Sequence, residues 1–315
     1  MKMDRREFLK RASCLAAIPA FGGCRSMFTG ASGQYDDNLV VLISDVHVRP
    51  SERCEVWQKK RAMAHVAEIL RMDPLPRTVL CFGDLAYSYG TVGDYKVFDE
   101  VVRRPLEAAG VRLVATMGNH DRRKEFFEVF PEYAASTPVP GRTVSVVEAP
   151  NATFVLLDSL NEEPFSPGER RNTVEGIIDD AQLEWFVDFS QKATKPLFAC
   201  AHHPAREMRN LSAALAAAPT CYGWLHGHNH RWYEYFASDR YKTPRTIRTV
   251  GIPSFSLWGD IGYAVFRAGK KRSTVTCRQT EFIFPNPLMY DRVPENWKQT
   301  VKDHDGAQFA FVYDK

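Results

Sequence analysis

Apolar and polar positions along the chain alternate in a way that separates short strand-length runs from segments of helical period. Runs at Leu39–Ser44, Thr78–Phe82, Arg112–Met117, Thr143–Val147, Thr153–Leu157, Leu197–Ala201 and Tyr222–Leu225 predict strands. Between them, Glu55–Met72 carries Val56, Met63, Val66, Ile69 and Leu70 among basic residues and predicts a helix. Asp94–Ala109, Asp179–Gln191 and the Ala-rich Arg206–Ala217 read the same way. Further strand patterns follow at Thr246–Ile252, Tyr263–Arg267 and Ser273–Arg278. Strand–helix alternation early and strands late predict an α/β fold of two mixed β-sheets packed as a sandwich with flanking helices. Asn161–Thr173 lacks periodicity and holds two prolines, the mark of a surface loop. Asn286–Lys315 is aromatic-rich and predicts a C-terminal extension packed on the domain.

With 315 residues, 44% of them hydrophobic, the chain can bury a sizeable core in one large domain or at most two. The first 23 residues stand apart: a basic stretch to Arg11, then a small apolar run, Ala12–Gly23, too short and too rich in Gly and Pro to span a bilayer. Asp4-Arg5-Arg6-Glu7-Phe8-Leu9-Lys10 resembles the twin-arginine export signal, a route that carries folded proteins. Gly22-Gly23-Cys24 resembles the end of a lipoprotein processing site, with Phe21 where such sites usually have Leu. Both fates stay open: a lipid anchor on Cys24, or soluble release into the periplasm. The expected organisation is an export signal over 1–23, a linker over 24–37, one domain over 38–285 and the extension over 286–315. Removing 1–23 takes away five positive and two negative charges, the whole net charge of +3, so the basic balance gives no reason to expect nucleic acid as a partner. Cys81 and Cys200 fall inside apolar strands, which favours buried thiols over a disulfide framework.

Chemistry concentrates at the ends of the predicted strands, where ligands of open α/β sheets gather. Five blocks occur in series: Asp45-Val46-His47, Gly83-Asp84, Gly118-Asn119-His120-Asp121, Ala201-His202-His203-Pro204 and Gly227-His228-Asn229-His230. Of nine histidines, only His65 and His304 lie outside these blocks or their immediate neighbours. Gly83, Gly118 and Gly227 are expected to permit the tight turns that let the side chains converge. Mixed imidazole, carboxylate and amide donors suit Mn, Fe or Zn better than Ca or Mg.

The ordered set resembles the calcineurin-like metallophosphoesterase superfamily over about residues 38 to 260. Leu157-Asp158-Ser159 followed by Gly176, Gln182-Leu183 and Trp185 resembles its exported phosphodiesterase and phosphatase members. The resemblance implies the family's α/β/β/α four-layer fold and two divalent transition metal ions. Asp45, His47, Asp84 and His230 would hold one ion; Asp84 would bridge to a second held by Asn119, His202 and His228. His120 would stabilise the transition state or protonate the leaving oxygen, with Asp121 orienting it. His203 and His226 are expected to lie outside the ligand set. Gly83-Asp84-Leu85-Ala86-Tyr87 resembles a purple acid phosphatase block, but His47 stands where those enzymes usually have glycine, which makes Tyr87 a pocket-wall residue.

Two features remain double-edged. Trp232, Tyr233, Tyr235 and Phe236 could stack a nucleobase or form a core strand. Arg122, Arg123 and Lys124 could bind phosphate or be a solvated helix start. The implied activity is hydrolysis of a phosphodiester by metal-bound hydroxide in an exported enzyme, with a phosphomonoesterase, a nuclease and a catalytically silent metal-containing scaffold as rivals.

Overall fold

Strand β1 (Tyr35–Ile43) opens the fold four residues before the apolar run begins, because Tyr35 and Asp36 pair with Leu75 and Pro76 across a register shift. Part of the expected linker is therefore sheet. The structure, a computed structural model, describes residues 34–50, 56–162, 174–209, 211–236, 247–283 and 304–313. The twin-arginine-like stretch and Cys24 lie outside the described residues.

The first half alternates as expected: α1 (Val56–Ile69), β2 (Leu75–Cys81), α2 (Val92–Phe98), a π-helical turn (Asp99–Arg103), α3 (Arg104–Ala108) and β3 (Arg112–Ala115). Thr91 and Asp94 form a reciprocal capping box at the start of α2. The slip into π register falls just before Pro105, which has no N–H for a regular helical bond. Two short helices that the periodicity missed, α4 (Arg123–Val129) and α5 (Pro131–Ser136), precede β4 (Ser145–Ala149) and β5 (Ala152–Leu156). Then come β6 (Gly176–Ile177), α6 (Asp180–Lys192), β7 (Leu197–Ala201), a 3-10 turn (Ala205–Glu207), β8 (Met208–Arg209) and α7 (Leu211–Ala216). The strand-rich remainder is β9 (Cys221–His226), β10 (Tyr233–Phe236), β11 (Arg248–Gly251), β12 (Gly259–Arg267), β13 (Arg272–Ile283) and β14 (Gln308–Val312).

Two six-stranded mixed sheets result, ordered β14-β13-β12-β1-β2-β3 and β10-β11-β9-β7-β5-β4. Period-two alternation divides the core. Val40, Leu42, Leu80 and Val114 meet Phe154, Leu156, Phe198 and Val250 between the sheets. Val41, Ile43, Val79 and Leu113 face Val66, Ile69, Phe98 and Leu106 of the helices outside the first sheet. Val155, Leu197 and Ala199 face Phe186 and Leu211 outside the second. Among the described residues no helix is long and apolar enough to cross a membrane, and Cys81, Cys200, Cys221 and Cys277 are buried free thiols.

β14 lies within the expected extension 286–315 and adds a strand to the domain's first sheet, pairing along β13 from Arg272↔Val312 to Thr276↔Gln308. Phe311 is 3% exposed and packs edge-on against Phe198 at 4.9 Å between ring centroids. We expect Phe311→Ala to cost about 3–5 kcal/mol in a denaturant melt. A loss below about 1 kcal/mol would instead mean that this segment only rests on the surface.

Candidate metal centre

β1, β2 and β3 run parallel in one sheet, and β7 and β9 run parallel in the other. The loops leaving their carboxyl ends bring Asp45, His47, Asp84, Asn119, His202, His228 and His230 into one cluster. The backbone there is unusual. Asp45 (φ 56°), His47 (46°), Asp84 (51°), His228 (69°) and His230 (53°) all occupy the left-handed region, and among the described residues no other non-glycine residue does. Each such residue costs on the order of 1–3 kcal/mol, a strain that tends to collect at functional sites. The glycines serve differently from the turn role expected of them. Gly83 does adopt φ +91°, but Gly118 and Gly227 are needed for close approach. A Cβ on Gly118 would lie 2.3 Å from Asp84 Oδ1, and one on Gly227 would lie 2.6 Å from Asp45 Oδ2. We therefore expect Gly118→Ala to lower metal content without removing any ligand atom; a fully loaded Ala variant by elemental analysis would contradict this.

Two half-sites share Asp84. In one, Asp45 Oδ1 lies 3.1 Å from His230 Nε2 and 3.9 Å from His47 Nε2, and His47 Nε2 lies 3.5 Å from Asp84 Oδ2. In the other, His202 Nε2 is 3.3 Å from Asp84 Oδ2 and 3.1 Å from Asn119 Oδ1. His228 Nδ1 completes that group, 3.0 Å from Asn119 Oδ1 and 3.2 Å from His202 Nε2.

The outward-facing nitrogens explain this orientation. His202 Nδ1 meets the Phe82 carbonyl at 2.8 Å, His230 Nδ1 the Trp258 carbonyl at 2.9 Å and His47 Nδ1 the Tyr87 carbonyl at 3.3 Å. A carbonyl only accepts, so each of these nitrogens carries a proton and the Nε2 of a neutral ring turns its lone pair inward. Asp45 Oδ1 and His47 Nε2 are buried with no hydrogen-bond partner, an arrangement that costs about 1–3 kcal/mol per group unless something else occupies the space between them. A divalent cation in each half-site fits these donors.

The Asp84 carboxylate calls for a positive charge here: burial works against a charged His202, yet Asp84 outweighs it and lifts the imidazole to about 9, so a cation binding at this half-site would displace the His202 Nε2 proton. Burial likewise pushes Asp84 upward, but His202 and His120 hold its carboxyl well below the usual range. Burial drives His47 down to about 3 and, helped by His202, His228 down to about 4, so both stay neutral and able to ligate.

His120 sits over this cluster with its side chain 35% exposed, against 4% or less for Asp45, His47, Asp84, His202 and His230. Its Nδ1 donates to the Tyr87 carbonyl at 2.9 Å, its backbone N–H donates to Asp84 Oδ1 at 2.8 Å, and its Nε2 lies 3.9 Å from Asp84 Oδ2. Asp121 does not orient it, contrary to expectation. Its buried carboxylate accepts from the N–H groups of Leu85, Ala86 and Gly118 and from the Tyr95 hydroxyl. It thus ties the Asp84 loop to the Asn119 loop. Burial, reinforced by Asp84, pushes its pKa up to about 7. The Tyr87 carbonyl is what fixes both His47 and His120, while the Tyr87 ring lies under the Arg49 guanidinium at 4.2 Å.

The basic run at Arg122 does start a helix, α4, but its first two side chains are paired rather than solvated. Arg123 makes a bidentate pair with Asp158 at 2.8 Å, and Arg122, 6% exposed, pairs with Glu162 at 3.6 Å. Leu157-Asp158-Ser159 and Gln182 gain a physical meaning here. Gln182 accepts from the Asp158 N–H at 2.9 Å and donates to the Asp158 carbonyl at 3.0 Å. Ser159 Oγ meets His203 Nδ1 at 2.8 Å, and a Cβ on Gly176 would lie 2.5 Å from the His203 Cγ. His203 is buried beside His228, with ring centroids 4.7 Å apart, and offers a nitrogen within 4.8 Å of those of His202 and His228. His226, at the end of β9, donates from Nδ1 to the Gly227 carbonyl at 2.8 Å and belongs to no such group. Trp232 is a core residue stacked on Phe309 at 4.8 Å, while Tyr233 and Tyr235 share one half-buried face of β10. Sequence reasoning passed over Glu207, whose Oε2 lies 3.4 Å from His228 Nε2.

The model of the calcineurin-like phosphoesterase family matches residues 39–232, a span that takes in every residue of this cluster. The chain belongs to the calcineurin-like phosphoesterase family. It is 34% identical over 170 residues to a probable cyclic nucleotide phosphodiesterase from Rhodopseudomonas palustris, a match covering 52% of this chain and 56% of that protein. The chain thus spans little more than half the length of this curated relative. In fold, this phosphoesterase-family chain is similar to a dimetal phosphatase from Danio rerio (TM-score 0.61, 15% identity, 88% of this chain and 99% of that one). It is also similar to GAP50, the anchor in the inner membrane complex of Plasmodium (TM-score 0.52, 8% identity, 88% and 89%). At these identities the likeness speaks for the fold.

Proposed function

We propose that this chain is an exported phosphodiesterase with a binuclear centre of Mn, Fe or Zn. The observation that carries the reading is the pair of half-sites sharing Asp84, with the lone pairs of buried, backbone-anchored imidazoles directed inward. The similarity to the probable cyclic nucleotide phosphodiesterase of Rhodopseudomonas palustris favours a diester over a monoester and makes a cyclic nucleotide the first natural candidate. The twin-arginine-like run at Arg5-Arg6 supports export, and Gly23-Cys24 supports a lipid anchor.

Asp45, His47, Asp84 and His230 would hold one ion, and Asp84, Asn119, His202 and His228 the other. When bound, such a pair supplies a hydroxide nucleophile at neutral pH and neutralises the phosphoryl charge. The protein's own share is positional. Left-handed backbone at five of the ligands aims them inward, and Asp121 locks two of their loops together. His120 keeps Nδ1–H on the Tyr87 carbonyl, so in the imidazolium form Nε2 is the atom that would hand a proton to the leaving oxygen.

The deciding experiment compares kcat/KM for bis-p-nitrophenyl phosphate and p-nitrophenyl phosphate on Mn-loaded protein, with a cyclic nucleotide as a third substrate. A diester-to-monoester ratio well above one is expected. A ratio well below one would make the protein a phosphomonoesterase. Bound metal with no turnover of any of the three would leave a scaffold.

A further inference from the structure

His228 differs from the other histidines of the cluster. His47, His202 and His230 tie Nδ1 to a backbone carbonyl and turn Nε2 inward, whereas His228 turns Nδ1 inward, toward Asn119 and His202. A neutral imidazole that gives the lone pair of Nδ1 to a cation carries its one proton on Nε2, and that proton needs an acceptor. Oε2 of Glu207 faces it at 3.4 Å.

We propose that Glu207 is a positioning residue for the metal ligand His228: its carboxylate accepts a hydrogen bond from the Nε2–H and thereby fixes the ring with Nδ1 toward the ion. This rests on the two-ion reading above. Carboxylate partners of this kind set the tautomer and raise the basicity of metal-bound imidazoles. Glu207 is itself held from two sides. It closes the 3-10 turn after His202-His203-Pro204, with its N–H donating to the Pro204 carbonyl at 2.9 Å. Its other oxygen lies 3.6 Å from Arg206 Nε, while the Arg206 guanidinium covers the rings of Tyr233 and Tyr235 at 5.5 and 5.2 Å and the Arg206 N–H donates to the Tyr235 hydroxyl. The segment after His202 thus reaches across to β10 and presents one carboxylate to the only cluster histidine whose outer nitrogen meets no backbone carbonyl among the described residues.

The test uses the full chain, stripped with chelator and titrated with Mn(II) by calorimetry and with Co(II) by its visible spectrum. Wild type is expected to bind two ions. Glu207→Ala should weaken one site about 10–100-fold and change the Co(II) spectrum of that site, leaving the other as it was. Glu207→Gln, whose amide oxygen still accepts, should fall between the two, and it decides the matter should the Ala variant not fold. Two sites of unchanged affinity and spectrum in the variants would overturn the role of Glu207 and leave the two-ion reading standing. A wild-type chain that binds fewer than two ions would overturn both.

Discussion

Asp84→Asn is expected to lose both metal and activity, the largest effect of any single substitution in the centre. The exchange keeps size and shape, and the new side-chain oxygen can still accept the His120 N–H now held at 2.8 Å. What goes is the charge. Asp84 is 2% exposed and its Oδ2 stands 3.3 Å from His202 and 3.5 Å from His47. Removing one member of such a buried charged set typically costs about 3–5 kcal/mol, or roughly 10²–10⁴ in an equilibrium constant. Both half-sites lean on this carboxylate, so both ions should leave on dialysis and kcat/KM should fall with them. Elemental analysis and turnover measured on the same sample check this. An Asn variant that keeps two ions would remove Asp84 from the bridging position.

His120→Ala is expected to do the opposite with metal and the same with rate. The ring is more exposed than those of the neighbouring histidines, and its Nε2 is farther from Asp84 Oδ2 (3.9 Å) than that of His202 (3.3 Å). Both ions should therefore remain. Loss of a positioned proton donor typically lowers a rate about 10²–10⁴-fold, and the loss should appear in kcat with KM little changed. The effect should shrink for substrates with a good leaving group, since p-nitrophenolate departs without a proton. A variant that drops an ion along with its rate would make His120 a ligand. Equal losses on good and poor leaving groups would move its role from proton donation to charge stabilisation.

Why these two residues were visible beforehand, and others were not, has a physical basis. A strand core signals itself through contiguous apolar residues, and the block that follows it falls at the carboxyl edge; both are local properties. Hence the apolar run predicts β7 with its ends as observed, Leu197–Ala201. It does not predict the start of β1, because Tyr35-Asp36-Asp37-Asn38 is polar and joins the sheet only through pairing with residues some forty positions on. β14 is hidden for the same reason: its partner β13 ends at Ile283 and β14 begins only at Gln308. The role given to Asp121 failed because adjacency in sequence to His120 says nothing of direction. Its carboxylate turns back to three backbone N–H groups, two of them more than thirty residues away.

The sequence by itself determined the layered α/β architecture, the order of the ligand-type residues and the mixed donor chemistry that favours a transition metal, since these follow from residue type and short-range period. Tertiary structure alone decided which nitrogen of each histidine faces inward, which residues take the left-handed backbone and which groups hold His47, His120 and His228. Those choices depend on carbonyls and carboxylates delivered from other strands: Phe82 to His202, Trp258 to His230, Tyr87 to His47 and His120, Glu207 to His228. A hydrogen bond has a reach of about 3 Å, and only the folded chain sets which groups come within it.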